Sequence, residues 1–278
     1  MNADRITRES KSNLALAFVA LGRERRAHIT IFYAFCRVVD DIADSPDGSI
    51  EEKANALKAW RRWIRQEEPG EPELAADVRG LYAKYPITPA MLDEIIDGVE
   101  MDLGPVRYAT FDDLRLYCYR VASAVGLVSI EIFGYRNPAC RDYAIQLGLA
   151  LQVTNIIRDV GKDLANGRIY LPEEDLARFG YSEADLRARR QNDAFQALME
   201  FQASRAEQFF AAAAELLPRD DRRSMVAAEI MASVYHALLR RMKADRFRVF
   251  EKEYRLSKIE KGGRVAGQLL RLCLNAKR

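Results

Sequence analysis

Asp40, Asp41 and Asp44 close one run of the chain, FYAFCRVVDDIAD, and Asn155, Asp159 and Asp163 are spaced through a second, NIIRDVGKD. Residues four apart lie one above the other on a helix, so each set presents a stripe of oxygens on one face. Arg37 and Tyr33 lie one and two turns upstream of the first stripe, and Gln152 lies just before the second. Acids near a helix C-terminus oppose the macrodipole, and like charges four residues apart cost a few tenths of a kcal/mol, so a purely structural purpose is poor. A divalent cation reverses that sign. Magnesium takes oxygen ligands and binds through one or two carboxylates plus substrate phosphates, which suits an open stripe; manganese is the natural substitute.

Other site chemistries find no support. The chain has two histidines, His28 and His236, and neither HExxH nor ExxH, which disfavours zinc peptidase and ferritin-like di-iron centres. No GxxxxGK[ST] loop, GxSxG elbow or Rossmann GxGxxG follows a strand, so nucleotide-dependent and serine-hydrolase readings fall away. Cys36, Cys118, Cys140 and Cys273 are scattered with no CxxC pair, which yields neither a zinc site nor a disulfide framework.

The elements that must carry the stripes are helices. Apolar residues recur at helical spacing almost throughout, and runs such as 206–217 (AEQFFAAAAELL) combine strong helix formers without strand-like alternation. Proline and glycine punctuate the chain at 45–48, 69–72, 85–89, 104–105, 137–138, 171–172 and 217–218. The pattern predicts helices near 10–20, 22–44, 50–67, 73–84, 88–103, 111–134, 139–165, 191–217, 219–244 and 256–274. Segments 111–134 and 139–165 are the most apolar and belong in the middle of a bundle, where Gly126, Gly134 and Gly148 allow close packing or leave room for a ligand.

The 278 residues, 49% hydrophobic and 30% charged, suit one large all-α domain over 1–278. Lys and Arg number 43 against 41 acids, a net charge of +2 that offers no global field for nucleic acid. Residues 240–278 are the exception, with 13 Lys/Arg against 4 Asp/Glu, and suit phosphates, an anionic membrane surface or water. The N-terminus lacks the apolar core of a signal peptide, and no run approaches about 18 uninterrupted apolar residues, so a cytoplasmic enzyme with at most peripheral contact on the inner membrane face is expected.

These residues resemble the squalene/phytoene synthases of the trans-isoprenyl diphosphate class. FYAFCRVVDDIAD (32–44) is similar to the family's first aspartate motif, LALQVTNIIRDVGKDLANGRIYLP (149–172) to its second, and YCYRVASAVG (117–126) to the segment between them. The resemblance covers nearly the whole chain. It implies a single helical bundle of the isoprenoid synthase type around a deep central apolar cavity, with the two motifs facing each other at its mouth. It implies that Asp40, Asp41, Asp44, Asn155, Asp159 and Asp163 hold magnesium diphosphate, and that Arg37, Tyr33 and Gln152 hold diphosphate or shape its pocket. Ser10 and Ser12 match hydroxyls that touch a diphosphate in relatives, and Arg158, Arg168, Tyr235 and Lys252 fall where similar proteins place basic or phenolic groups. Asn13, Glu9 and Ser123 depart from the family pattern, which often has Phe, His and glycine or another small residue there.

The chemistry implied is ionisation of an allylic diphosphate, which needs charge stabilisation at the leaving group and a dry wall below it. Tyr117, Val121, Ala122, Val125, Gly126, Leu149 and Gln152 are the candidate lining, and Phe32, Tyr33 and Tyr235 offer aromatic faces to a cation. Released diphosphate, Tyr117 and Tyr235 are alternative proton acceptors. The expected reaction joins two farnesyl diphosphates into presqualene diphosphate, as in bacterial hopanoid-pathway relatives; phytoene synthase acting on two geranylgeranyl diphosphates is the alternative, and a non-catalytic helical scaffold the third. NADPH is expected only if the reaction continues to squalene. Prenyl diphosphates are the expected partners, with downstream isoprenoid-pathway enzymes possible beside them.

Overall fold

The computed structural model of the protein describes residues 17–275, with side chains up to Leu272. Among the described residues there are twelve α-helices and no strands. They are α1 (Arg23–Asp44), α2 (Ile50–Trp63), α3 (Glu73–Tyr82), α4 (Pro89–Glu100), α5 (Phe111–Cys118), α6 (Ala124–Phe133), α7 (Ala139–Ala165), α8 (Glu173–Arg178), α9 (Glu183–Arg187), α10 (Asp193–Leu216), α11 (Val226–Ala244) and α12 (Lys258–Asn275).

Local chemistry sets many of the boundaries. Ser49 accepts from the Glu52 backbone N–H while the Glu52 carboxylate accepts from that of Ser49; Thr110 with Asp113 and Ser182 with Asp185 repeat this reciprocal cap at the starts of α5 and α9. Pro89 opens α4, where a missing N–H costs nothing. Gly134 adopts a φ of +77° to end α6.

The expected helices are present with three instructive differences. The segment 88–103 stops at Glu100, so 101–110 becomes a loop that turns Asp102 inward. The segment 111–134 is interrupted by a π-helical turn, Tyr119–Ser123, between α5 and α6. Two short helices, α8 and α9, occupy 173–187, a stretch for which the pattern predicts none; each is a single capped or proline-led turn or so, too brief for apolar periodicity to show. Of the expected helix at 10–20, Phe18–Ala20 forms a 3₁₀ turn and residues before 17 lie outside the described residues.

The buried side chains form one contiguous core, with α7 running through it along α10 and against α6, α11 and the π turn. Two glycines hold that turn. A Cβ on Gly148 of α7 would stand 2.5 Å from the Ser123 Cα, and one on Gly98 of α4 2.7 Å from the Arg120 Cβ, so the turn is pressed between two helices that yield no space for a side chain. Ser123 is fully buried and donates its hydroxyl to the Ile145 carbonyl at 2.8 Å. The rod Phe111–Phe133 is long and apolar enough by length and composition to cross a bilayer, though charged residues interrupt it and half of its apolar window is buried inside the protein, as in a core helix.

Candidate active site

Helix α7 carries both halves of the site. Near its middle, Tyr143, Ala144, Leu147, Gly148, Leu151 and Gln152 face a cavity of about 170 Å³, closed on the other sides by Val121, Ala122, Val125, Gly126, Ser129 and Ile130 of the α5–α6 rod and by Ala227, Ala228, Met231 and Tyr235 of α11. The π turn is what turns Val121 and Ala122 toward this space, since one additional residue in the turn shifts the register of everything after it. Ala17 and Phe18 cover another side, and Phe18 meets the Tyr33 ring edge to face at 6.1 Å. At the floor, Tyr143 is buried and its hydroxyl donates to Glu229 at 2.8 Å.

Along α7 toward its C-terminus the lining turns polar. Asn155 lies at the cavity's polar end, its amide nitrogen donating to Gln152 at 3.2 Å. One and two turns on come Asp159 and Asp163, about 6 and 12 Å farther along the axis at 1.5 Å per residue. The first stripe, at the end of α1, is brought to the same mouth by Arg168. This residue follows α7 and donates Nη1 to Asp44 at 2.6 Å while Nη2 reaches the Ala43 and Asp102 carbonyls at 3.5 and 3.4 Å; its own backbone N–H binds the Asp163 carbonyl. One residue, through its guanidinium on one side and its backbone N–H on the other, therefore ties the ends of the two rows together.

Asp102 stands between the rows, and the motif analysis does not contain it. Its two oxygens accept from Tyr170 at 2.7 Å and Tyr117 at 2.8 Å, in a cluster of three tyrosine rings completed by Tyr108. Burial raises its pKa, against the pull of the two phenols and Arg168. The sequence signal for it is slight: the last of five acids between 93 and 102, shortly before Gly104-Pro105. Tyr170 lies inside the quoted GRIYLP run but has no role until Asp102 appears beside it.

The acids crowd one another. Asp40 keeps 49% of its side-chain surface open toward the cleft, with protein packed around the rest. Burial first, then Asp44, push its pKa up to about 6 despite Arg37. Burial and Asp159 push Asp163 up to about 7 against the opposing charges of Lys162 and Arg168, and Asp102 adds to the repulsion felt by both. Arginines offset part of this: Arg37 pairs with Asp40 and Asp41, Arg168 with Asp44, and Arg158 with Asp159 at 2.8 Å. Among the described residues, Asp163 has no such ion pair.

The residues present fit a hard divalent cation. The Asn155 side-chain oxygen is buried with no hydrogen-bond partner among the described residues, at the edge of a field of carboxylates whose proton affinity is already raised by mutual repulsion. An orphaned buried acceptor costs about 1–3 kcal/mol, which coordination would recover. Among the described residues no three His, Cys, Asp or Glu side chains form a closed cage, so any ion here needs oxygens from elsewhere, such as phosphates.

The structure thus gathers Arg37, Asp40, Asp41, Asp44, Asn155, Arg158, Asp159, Asp163 and Arg168 about one mouth, and Val121, Ala122, Val125, Gly126, Gln152 and Tyr235 on the cavity wall below, with Tyr235 beside Arg158. Two expected wall residues are elsewhere. Tyr117 precedes the π turn and is spent on Asp102, and Leu149 is buried on another face of α7. Lys252 is paired with Asp245 and set 5.4 Å from the Tyr254 ring, neither of which belongs to the mouth. Phe32 is a core residue stacked on Phe35. Ser10 and Ser12 lie outside the described residues.

A family profile described as squalene/phytoene synthase matches residues 7–260. The chain is 36% identical over 263 residues to the 15-cis-phytoene synthase of Synechococcus elongatus, covering 89% of this chain and 84% of that one. It is 38% identical over 238 residues to the presqualene diphosphate synthase of Zymomonas mobilis, covering 85% and 81%. Its fold superposes on a dehydrosqualene synthase with a TM-score of 0.82 at 26% identity, over 97% of this chain and 95% of the other. With a squalene synthase from Alicyclobacillus acidocaldarius the TM-score is 0.79 at 28% identity, over 88% and 93%.

Proposed function

The chain belongs to the squalene/phytoene synthase family, whose members are prenyltransferases that condense prenyl diphosphates head to head, and on that premise we propose that it joins two farnesyl diphosphates into presqualene diphosphate. The observation that carries the proposal is the continuity of α7, which leads from an apolar cavity through Gln152 and Asn155 to the facing acids.

In this reading the C1–O bond of one farnesyl diphosphate breaks, the leaving diphosphate takes the electron pair, and the double bond of the second substrate attacks the allylic cation. Loss of one proton closes the three-membered ring, so two farnesyl diphosphates give presqualene diphosphate, one diphosphate and one proton. Magnesium bound by Asp40, Asp44, Asn155, Asp159 and Asp163 would supply electrostatic stabilisation to the leaving group. The chain's own part is threefold. Arg37, Arg158 and Arg168, which neutralise the acids in the free protein, are placed to turn to phosphate oxygens, where a guanidinium fork binds in bidentate fashion. Asp102, held by Tyr117 and Tyr170, keeps the Arg168 hinge and both rows in register. The apolar walls exclude water from the cation, and the Tyr235 ring offers it a quadrupole. Of the two tyrosines considered as proton acceptors, Tyr235 is the one on the cavity wall.

The floor at Tyr143 favours the shorter substrate. From Tyr143 to Leu151 the apolar stretch of α7 runs about 12 Å, close to the roughly 13 Å of an extended twelve-carbon chain at the advance per bond of a stretched polypeptide, whereas sixteen carbons need about 18 Å. The phytoene synthase relatives favour the second reading, condensation of two geranylgeranyl diphosphates. Incubation of the purified protein with each diphosphate and magnesium, with and without NADPH, followed by extraction decides between them. The expected result is presqualene diphosphate from the C15 substrate. Product from the C20 substrate alone would transfer the assignment to phytoene synthesis, and no product in any tube would leave a helical binding protein.

A further inference from the structure

Two hollows of the molecule are divided by a wall one side chain thick. Tyr143 and Leu147, one turn apart on the same face of α7, line both the apolar cavity and a larger space of about 640 Å³ enclosed by α7, α10, α11 and α12. Tyr143 is 1% exposed, and its hydroxyl donates to Glu229 of α11 at 2.8 Å, so the ring is fastened across the gap between the two helices. Burial raises the pKa of Glu229, and the bond from the phenol, with Arg222 and Arg271, opposes that rise. The larger space is graded from inside to outside. Leu147, Phe210 and Ala213 stand on its inner side and are buried, whereas Arg240 and Arg271 are exposed at its rim. Arg264 and Gln268 of α12 bridge it, the first to the Ser233 carbonyl and hydroxyl at 3.1 Å, the second to the Glu229 carbonyl at 3.4 Å. A hydrocarbon that passed Tyr143 would therefore meet buried apolar side chains before any charge.

Resting on the head-to-head reading above, we propose that Tyr143, fastened by Glu229, is the residue that limits the prenyl chain to the shorter substrate, and that the space behind it is a shut-off extension of the cavity. The sizes agree. Beyond its Cβ a tyrosine carries seven heavy atoms, against the five carbons of one isoprene unit, so exchanging the ring for a methyl group opens room for the next unit. Four further main-chain carbons need about 5 Å, and Phe210 and Ala213 are the apolar surfaces they would reach. The bulk of the ring does the limiting, and the hydrogen bond to Glu229 keeps the ring from swinging out of the gap.

The test is the ratio of kcat/KM for geranylgeranyl diphosphate to that for farnesyl diphosphate, measured with magnesium on the native chain, Tyr143→Ala and Tyr143→Phe. Tyr143→Ala is expected to raise the ratio about thirtyfold or more, within the range over which an apolar pocket discriminates by chain length. Tyr143→Phe keeps the ring and loses the bond to Glu229; it is expected to lower Tm by a few degrees and to leave the ratio within about threefold of native. Leu147→Ala thins the same wall and is expected to move the ratio the same way by a smaller factor, which decides the matter should Tyr143→Ala not fold. Calorimetric binding of the unreactive thiolo analogues of both substrates reads the same preference without turnover. An unchanged ratio in a folded alanine variant of a chain that favours the C15 substrate overturns this inference alone. So does an equal rise in Tyr143→Phe, which would make the hydrogen bond rather than the ring the determinant. A native chain that already favours the C20 substrate overturns the farnesyl reading and this inference together.

Discussion

Helices α1 and α7 both end in acids spaced four apart, yet the two rows live in different electrostatic conditions. The row on α1 is served by arginines: Arg37 reaches Asp40 and Asp41, and Arg168 crosses from the other side to hold Asp44, which keeps 44% of its side-chain surface exposed. The row on α7 has Arg158 for Asp159 but no ion pair at Asp163 among the described residues, and beside it the Asn155 oxygen is buried without a donor. Identical spacing therefore produces one row that is nearly satisfied by the protein and another that is left short of positive charge. The shortfall is what a cation and a polyanionic substrate would fill, and it is concentrated on the helix that also walls the cavity.

The largest expected effect tests whether the rows act as one site. Asp40→Ala and Asp163→Ala should each lower turnover of the prenyl diphosphate by about three orders of magnitude, the scale for removing a group that stabilises transition-state charge, while circular dichroism stays helical. Near-native activity in either variant would reduce the facing rows to a coincidence of packing.

A smaller effect separates the rows by stability in the metal-free protein. Asp163→Asn removes a crowded, poorly solvated charge and should raise Tm by about 2–4 °C, the shift that about 1 kcal/mol gives in a chain approaching this size. Asp44→Asn instead breaks a charge-assisted bond to Arg168 and should lower Tm by no more than that amount. The same sign in both, measured by thermal unfolding with a chelator present, would erase the distinction drawn here.

The smallest effect is a slope. Asp40 and Asp163 titrate near 6 and 7 in the folded chain against an ordinary aspartate value of 3.8, so over that interval the native state holds protons that the unfolded chain has released. Stability from these two groups therefore grows as pH falls through 7 and 6 and levels off near 4. Metal-free protein should melt higher at pH 5.5 than at pH 7.5, and Asp163→Asn should flatten the trend. A chain that melts higher at the alkaline end under chelation would contradict the crowding on which the site's preference for a cation rests.

Much of this was legible in the residues. The helical periodicity and the Pro and Gly punctuation located the long helices to within a few residues, because burial of an amphipathic face dominates their placement. The acids and their neighbouring arginines could be named because spacing on a regular helix dictates which side chains share a face, and the wall residues from Val121 to Gly126 because their segment resembles the family's. Where the helix ceases to be regular the reasoning lost its grip. Tyr117 was expected on the wall from the resemblance of its segment, but a π turn begins two residues later and the phenol goes to Asp102 instead. Asp102 itself follows Asp93, Glu94, Asp97 and Glu100 with nothing in its spacing to single it out, and Lys252, basic and near the expected place, is taken by Asp245.

The sequence by itself determined the fold class, the family and the two acidic rows, all properties of residues near one another along the chain. Only the tertiary structure decided that Arg168 joins the rows, that Asp102 stands between them, and that Gly98 and Gly148 press a π turn into shape behind the cavity. It also decided that Val265 and Leu272 of α12 pack against the core while Ile259 and Leu270 stay exposed, since apolar residues on a helix specify that something must cover them but not from which direction. Contacts between distant segments depend on how whole helices are aligned, and a short-range pattern carries no record of that alignment.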